Sequence, residues 1–336
     1  MARSTSESYL GNANVKKDGI QQEWTEEDLV EYQKCFNDPA YFTENYIKIV
    51  SLDEGLVPFK LYPYQSKMFS HFEDNRFSII LACRQSGKSI SVCAYLLWYV
   101  LFNPEKTVAI LANKGAVARE MLSRVTLMLE NIPFFLQPGT RALNKGSVEF
   151  SNNSRIIASA TSGSSIRGLS VSLLYLDEFA FVEKAGEFYT STYPVISAGE
   201  DTKVIITSTA NGLGNVFHKI WEGANQKTNE FTPMRVDWHD VPGRDERWKA
   251  TTIANTSQLQ FDQEFGNTFF GTGDTLINAE TLLALRASPH KHLLEGGDVL
   301  IYEEAIKDHD YVMCVDVSKG RGQDYSTFNL IDISVR

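Results

Sequence analysis

"SIILACRQSGKSIS", residues Ser78 to Ser91, sets the reading of the whole chain. It closes on Gly87-Lys88-Ser89, the tail of the phosphate-loop pattern G-x-x-x-x-G-K-[ST]. Ala82 stands where that pattern has its first glycine, and Arg84 lies inside the loop. A phosphate loop turns consecutive backbone N–H groups inward, here those of Gln85, Ser86, Gly87, Lys88 and Ser89, and aims a helix N-terminus at the phosphate. Gly87 lets backbone approach without a Cβ in the way, Lys88 supplies a point charge, and Ser89 supplies a hydroxyl for Mg²⁺. A small residue such as Ala82 can make the first tight turn where φ stays negative. Every group that touches phosphate or metal is therefore kept.

The flanks agree. "RFSIILAC" is an apolar run of strand length, and "KSISVCAYLLWYVLF" is mostly apolar and longer than an ordinary strand, as in a buried helix. Strand, loop and helix is the setting that the chemistry needs.

Three further stretches belong with the loop. "LLYLDEF" ends an apolar strand in Asp177-Glu178, at the strand end where open α/β sheets bind ligands. A carboxylate at Asp177 can hold Mg²⁺ through its water shell, and Glu178 can orient and deprotonate an attacking water. "IITSTANG" ends another strand in Thr207, Ser208 and Thr209, hydroxyls suited to sensing a γ-phosphate. Gln65 precedes the first strand and carries the donor and acceptor that an adenine edge requires. Arg84 has two readings. It is a cis arginine finger stabilising transition-state charge, or it is the partner of an acid such as Asp177 or Glu178.

Composition sets bounds. With 32 Lys and Arg against 42 Asp and Glu the net charge is −10, which argues against broad non-specific wrapping of DNA. The longest apolar run, Ile90 to Phe102, is too short to span a bilayer, so no membrane association is expected. The polar N-terminus has no secretory apolar core and is expected to be disordered over residues 1–22. Cys35, Cys83, Cys93 and Cys314 show no paired spacing, which fits a reducing compartment and argues against zinc. His290 and His292 read as a solvated loop.

Strands alternating with helices indicate an α/β protein with a mostly parallel sheet and helices on both faces. Thr25 and Asp28 form a helix-capping pattern, and Asn37-Asp38-Pro39 breaks that segment into two short helices. "GAVAREMLSRVTLMLENI" has helical apolar spacing, and Asn152-Asn153 marks a hairpin between two strands. Residues 221–288 carry no strand pattern and read as helical, and "SPHKHLLEGGDV" reads as a connector. The end of the chain reads as two strands around a Gly-rich turn.

Together, "ACRQSGKS", "LLYLDEF" and "TSTANGLGNVFHKIW" resemble the variant Walker A, Walker B and coupling motifs of the large terminase subunits of tailed bacteriophages, T4-like branch. "LYPYQSKM" resembles that family's adenine-recognition motif at Gln65. "VDVSKGRGQDYST" resembles the start of its RNase-H-like nuclease domain, with Asp316 and Asp324 as metal-binding carboxylates. The likeness spans roughly residues 25 to 336 and makes the missing glycine a habit of the family.

The resemblance implies an additional-strand P-loop ATPase that uses ATP and Mg²⁺ to drive double-stranded DNA into a procapsid. The strand of Thr207–Thr209 would lie between those of Lys88 and Asp177. The implied partners are a portal protein and a small terminase subunit. The implied assembly is a pentamer on the portal, monomeric when free, in the host cytoplasm and transiently on the procapsid. The expected organisation is a tail (1–22), an N-terminal helical part of a second subdomain (23–59), the ATPase core (60–220), the rest of that subdomain (221–285), a linker (286–308) and a nuclease fragment (309–336). Lys60 stands where relatives carry a second glutamine, which leaves adenine readout to Gln65. The chain ends at Arg336, before the later strands that complete a two-metal site, so no DNA cleavage is expected. A DExx helicase is a rival reading, but it needs a second strand–helix domain. A nucleotide-gated scaffold without turnover is another, against which Glu178 argues.

Overall fold

The strand before the phosphate loop is the axis of the fold. In a computed structural model describing residues 7–161, 169–197, 199–270, 291–294, 299–317 and 326–334, every residue of Phe77–Ala82 is buried. A strand buried on both faces reads as an unbroken apolar run, as "FSIILA" does. The chain divides into two units, Met1–Thr275 and Leu276–Arg336.

In the first unit the N-terminal elements are strands β1 (Ser8–Tyr9) and β2 (Asn12–Lys16), helices α1 (Glu26–Asn37) and α2 (Pro39–Tyr46), strands β3 (Lys48–Ser51) and β4 (Gly55–Pro58), and helix α3 (Pro63–Asp74). The central run is β5 (Phe77–Ala82), α4 (Lys88–Phe102), β6 (Thr107–Ala112), α5 (Gly115–Leu129), β7 (Thr140–Leu143), β8 (Ser147–Phe150), β9 (Arg155–Ala160) and β10 (Leu173–Asp177). Then follow α6 (Ala185–Ser197), β11 (Lys203–Ser208), α7 (Val216–Asn225), β12 (Thr232–Val236), α8 (Glu246–Asn255) and α9 (Gln258–Glu264). The two short helices predicted at the N-terminus are α1 and α2, and α1 carries the Thr25–Asp28 capping box.

Eight strands form one sheet in the order β12-β5-β11-β10-β6-β9-β8-β7. From β12 to β9 all neighbours are parallel, while β8 and β7 close one edge as an antiparallel pair. The Thr207 strand does lie between the loop strand and the Asp177 strand. Register brings the carboxyl ends together, with Asp177 opposite Thr207, Ser208 opposite Leu81, and Val236 opposite Ala82.

The sheet has a core on each face. On one, Ile80, Tyr175 and Ile205 pack with α3, α4 and α5. On the other, Ile79, Leu176 and Ile206 pack with Phe188 of α6 and Phe217, Ile220 and Trp221 of α7. Helix α4 is apolar all round because it is covered all round, with residues Ser91 to Phe102 buried. Trp98 Nε1 donates to Cys35 O at 2.8 Å, which ties α4 to α1. Each large aliphatic side chain so buried contributes about 1.5–3 kcal/mol. Burial pushes the Cys35 and Cys93 thiols up to about 12, so these cysteines are packing groups.

The structure departs from the sequence reading in three places. Residues 7–17, expected within a disordered tail, include the β1–β2 hairpin, with Val15 buried and Lys16 N–H donating to Gln137 Oε1 at 2.9 Å. Its order comes from distant partners, Gln137, Glu130 and Leu143 among them, and not from its own polar composition. Residues 221–288 contain β12, which extends the core sheet past residue 220. Pro233 and Arg235 interrupt its apolar pattern, which an edge strand tolerates. Residues 286–308, expected as a linker, contain β13 (His292–Leu294) paired antiparallel with β14 (Val299–Ile301).

In the second unit β15 (Tyr311–Asp316) and β16 (Thr327–Asp332) pair antiparallel, as predicted. Asp316 ends β15 opposite Thr327, and Asp324 lies outside the described residues.

Candidate functional site

The phosphate loop joins β5 to α4. Gly87, the residue before α4, has φ +74°, a left-handed conformation natural to glycine. A Cβ at Gly87 would come within 2.7 Å of Gln65 Nε2, so the loop packs directly on that buried side chain. Gln65 Oε1 accepts from Tyr62 N–H at 2.8 Å, and Tyr64 OH donates to Ser86 O at 2.6 Å. Helix α3 thus props the loop from behind. Lys60 points elsewhere, toward Glu44 O at 3.5 Å.

Lys88 is 6% exposed, and its Nζ lies 2.6 Å from Glu178 Oε1. Glu178 has φ +49°, a left-handed backbone that a non-glycine residue rarely adopts, and this turns its carboxylate to the end of the sheet. Its Oε2 accepts from Thr209 N–H at 3.3 Å and, at the long limit of 3.5 Å, from Ser208 Oγ. Asp177 is 4% exposed, and its Oδ1 accepts from Tyr175 OH at 2.7 Å, Thr207 Oγ1 at 3.0 Å and Ser89 Oγ at 3.1 Å. Two clusters therefore lie side by side, Lys88 with Glu178, Ser208 and Thr209, and Ser89 with Asp177, Tyr175 and Thr207.

Burial, and then the neighbouring Glu178 carboxylate, push the Asp177 carboxyl above the usual aspartate range despite Lys88. The folded protein then binds that proton more tightly than the unfolded chain, so an ionised Asp177 costs stability near neutrality. Asp177→Asn should raise the melting temperature of the nucleotide-free protein at neutral pH, because an amide oxygen can accept the same bonds. The gain should shrink as pH falls through the raised folded value, where Asp177 is itself neutral. In the same variant Mg²⁺-dependent nucleotide binding should weaken. A pH series of melting curves and a metal titration check both, and a neutral-pH melting temperature below wild type would contradict the first.

Arg84 makes the ion pair of the second sequence reading, but with an acid other than the two named there. Its side chain is 62% exposed, and its Nη1 lies 3.2 Å from Glu264 Oε1 on α9, not beside Asp177 or Glu178. Its acid partner lies 180 residues away in sequence, where no local pattern could point to it. Tyr175 was also missed. Its position two residues before Asp177 on a strand, hence on the same face, was the available signal. Burial pushes its hydroxyl well above the ordinary tyrosine range, which keeps it a donor to Asp177.

The residues fit a nucleotide phosphate with its metal. Ser86 Oγ is buried in the loop with no hydrogen-bond partner among the described residues. Ser89 Oγ and Asp177 are adjacent and are the pair that would hold Mg²⁺.

The sheet order, the loop at the head of a buried helix and the acids at the neighbouring strand end define a P-loop NTPase of the additional-strand type. Residues 79–284 match the family described as terminase large subunit, T4likevirus-type, N-terminal, and the chain belongs to that family. It is 25% identical over 189 residues to the large terminase subunit of Thermus virus P23-45 and equally to that of Thermus phage G20c. Each alignment covers 52% of this chain and 37% of the relative, so the chain spans well under half of their length. Among solved structures, a point mutant of the Thermus phage P74-26 large terminase ATPase domain superposes with a TM-score of 0.53 at 20% identity, covering 63% of this chain and 95% of that one. The HK97 bacteriophage large terminase gives 0.59 at 17% identity, covering 70% and 55%. A large terminase from a thermophilic bacteriophage, in complex with ADP, gives 0.52 at 12% identity, covering 82% and 65%. These likenesses establish the fold.

Proposed function

We propose that this chain binds and hydrolyses ATP with Mg²⁺ as the motor part of a phage terminase, driving double-stranded DNA into a procapsid. The observation that carries the reading is the meeting, at the carboxyl edge of the sheet, of Lys88 and Ser89 from α4, the acids Asp177 and Glu178 at the end of β10, and Thr207 to Thr209 at and just past the end of β11. Family membership and the ADP complex of the thermophilic phage relative support it.

Lys88 holds Glu178 in the arrangement described. A γ-phosphate competes for Lys88 and frees Glu178 to take a proton from the attacking water. Thr209 N–H on Glu178 joins that event to the end of β11, the coupling-motif strand. Arg84 serves as a cis finger once it leaves Glu264, and Gln65 contributes to the adenine pocket. The proposed partners are a portal protein, on which five copies assemble, and a small terminase subunit, in the host cytoplasm. Among the described residues no helix is long and apolar enough to cross a membrane.

The test is ATP hydrolysis by the purified chain, with and without double-stranded DNA and portal protein. DNA-stimulated turnover is expected. ATP binding without single-turnover phosphate release would leave the scaffold reading in its place. Lys88→Ala should weaken ATP binding by roughly 10- to 100-fold, the scale of a lost charge-assisted hydrogen bond, and slow turnover as well. Unchanged affinity by titration calorimetry would count against the loop assignment.

A further inference from the structure

The outward side of the phosphate loop is held by one residue that no motif marks. Arg244 stands between Gly243, whose φ is +83°, and Asp245, which caps α8 by accepting from Trp248 N–H at 2.7 Å. Its own backbone N–H donates to Val241 O at 3.2 Å. Its guanidinium lies 4.7 Å from the ring centre of Trp248 and 5.4 Å from that of Phe265, and those two rings meet edge-on at 5.2 Å. From this platform Nη1 donates to Arg84 O at 3.1 Å, and Nη2 donates to Arg84 O at 3.1 Å and to Gln85 O at 3.0 Å. Nη1 is also 3.4 Å from Cys83 Sγ.

Neighbouring residues complete the grip. Cys83 N–H donates to Val236 O at 2.9 Å, and Arg84 N–H donates to Glu264 O at 2.8 Å. A loop that turns its N–H groups toward a ligand must turn carbonyls away from it, and those carbonyls need donors. Gln85 has φ +57°, disfavoured for a residue with a Cβ, so something must keep it there. A planar fork of donors stacked on aromatic rings is suited to that, and a lysine is not.

We propose that Arg244 is the positioning residue of the phosphate loop, and that its stack on Trp248 and Phe265 makes α8 and α9 respond to what the loop binds. The second half rests on the reading of the loop as a nucleotide site. The first does not.

The test uses the full chain. In nucleotide-free protein, Arg244→Ala should speed hydrogen exchange of the peptide covering residues 83–89 by about tenfold or more, as expected where local hydrogen bonds are lost. Arg244→Lys should restore little of the protection. MgADP, used as the probe, should bind Arg244→Ala about tenfold or more weakly, the scale of charge-assisted bonds removed from the loop's support. Binding of MgADP to wild type should change tryptophan emission, and the change should vanish in Trp248→Phe and in Arg244→Ala. Trp248→Leu, which removes part of the platform and leaves the loop bonds, serves if Arg244→Ala does not fold, and it should show intermediate exchange. Unchanged exchange at residues 83–89 together with unchanged MgADP affinity would overturn the positioning role. An emission change that persists in full in Trp248→Phe would overturn the link to α8 and α9. If wild type bound no MgADP, the nucleotide reading would fall, and exchange alone would still decide the role of Arg244.

Discussion

Glu178→Gln should bind ATP with at least wild-type affinity and hydrolyse it roughly 10²-fold or more slowly, the scale for losing a general base. Both halves follow from geometry. One carboxylate oxygen faces Lys88 at 2.6 Å, and the other accepts from Thr209 N–H at 3.3 Å. An amide has a single acceptor oxygen, so glutamine can serve one of these donors and must turn its NH₂ toward the other. The hold on Lys88 weakens, and phosphate meets less competition for it. The base, meanwhile, is gone. Equilibrium binding and single-turnover rate on the same variant check the pair of outcomes. A proportionate fall in both would mean that Glu178 shapes the site and does not act on water.

Arg84→Ala carries the larger expected loss, roughly 10³-fold in kcat with ATP affinity little changed, the scale of arginine fingers. The structure sharpens the contrast with a structural role. The Arg84–Glu264 pair has an arginine side chain 62% exposed, and exposed ion pairs contribute only about 0–1 kcal/mol. Breaking that pair alone would scarcely move the melting temperature or the rate. Glu264→Gln is the companion variant. It should leave turnover unchanged or faster, because it loosens the Arg84 side chain from α9 while the backbone bond from Arg84 N–H to Glu264 O stays. A single-turnover rate in Arg84→Ala within about fivefold of wild type, far short of the finger scale, would remove the finger from the mechanism.

Much of the fold was legible because burial writes itself into composition. Strands β5, β6, β10 and β11 are sealed between helix layers and read as apolar runs, and α4 is longer than any of them and apolar on every side. The site was legible where chemistry sits at strand ends, as at Asp177-Glu178 and Thr207 to Thr209. What stayed hidden depends on distant partners. The β1–β2 hairpin packs on Gln137, Glu130 and Leu143, Arg84 meets Glu264, and Arg244 grips backbone carbonyls about 160 residues away in sequence. A carbonyl carries no side-chain identity, so an arginine that reads carbonyls leaves no motif. Strand β12 was hidden by Pro233, a residue that only an edge position accommodates.

Helix α4 gives the loop a fixed footing. Its first turn holds Lys88 and Ser89, and from Ser91 onward it is sealed between the sheet and the N-terminal helices. A machine delivers work only if one member stays put while another recoils. Closely packed interiors resist sliding, so in the proposed motor α4 would be the stator, with the phosphate-side half of the loop bolted to it. In that reading, displacement that accompanies a change of ligand would pass instead to the groups the loop and Glu178 touch, namely Thr209 just past β11 and, through Arg244, α8 and α9.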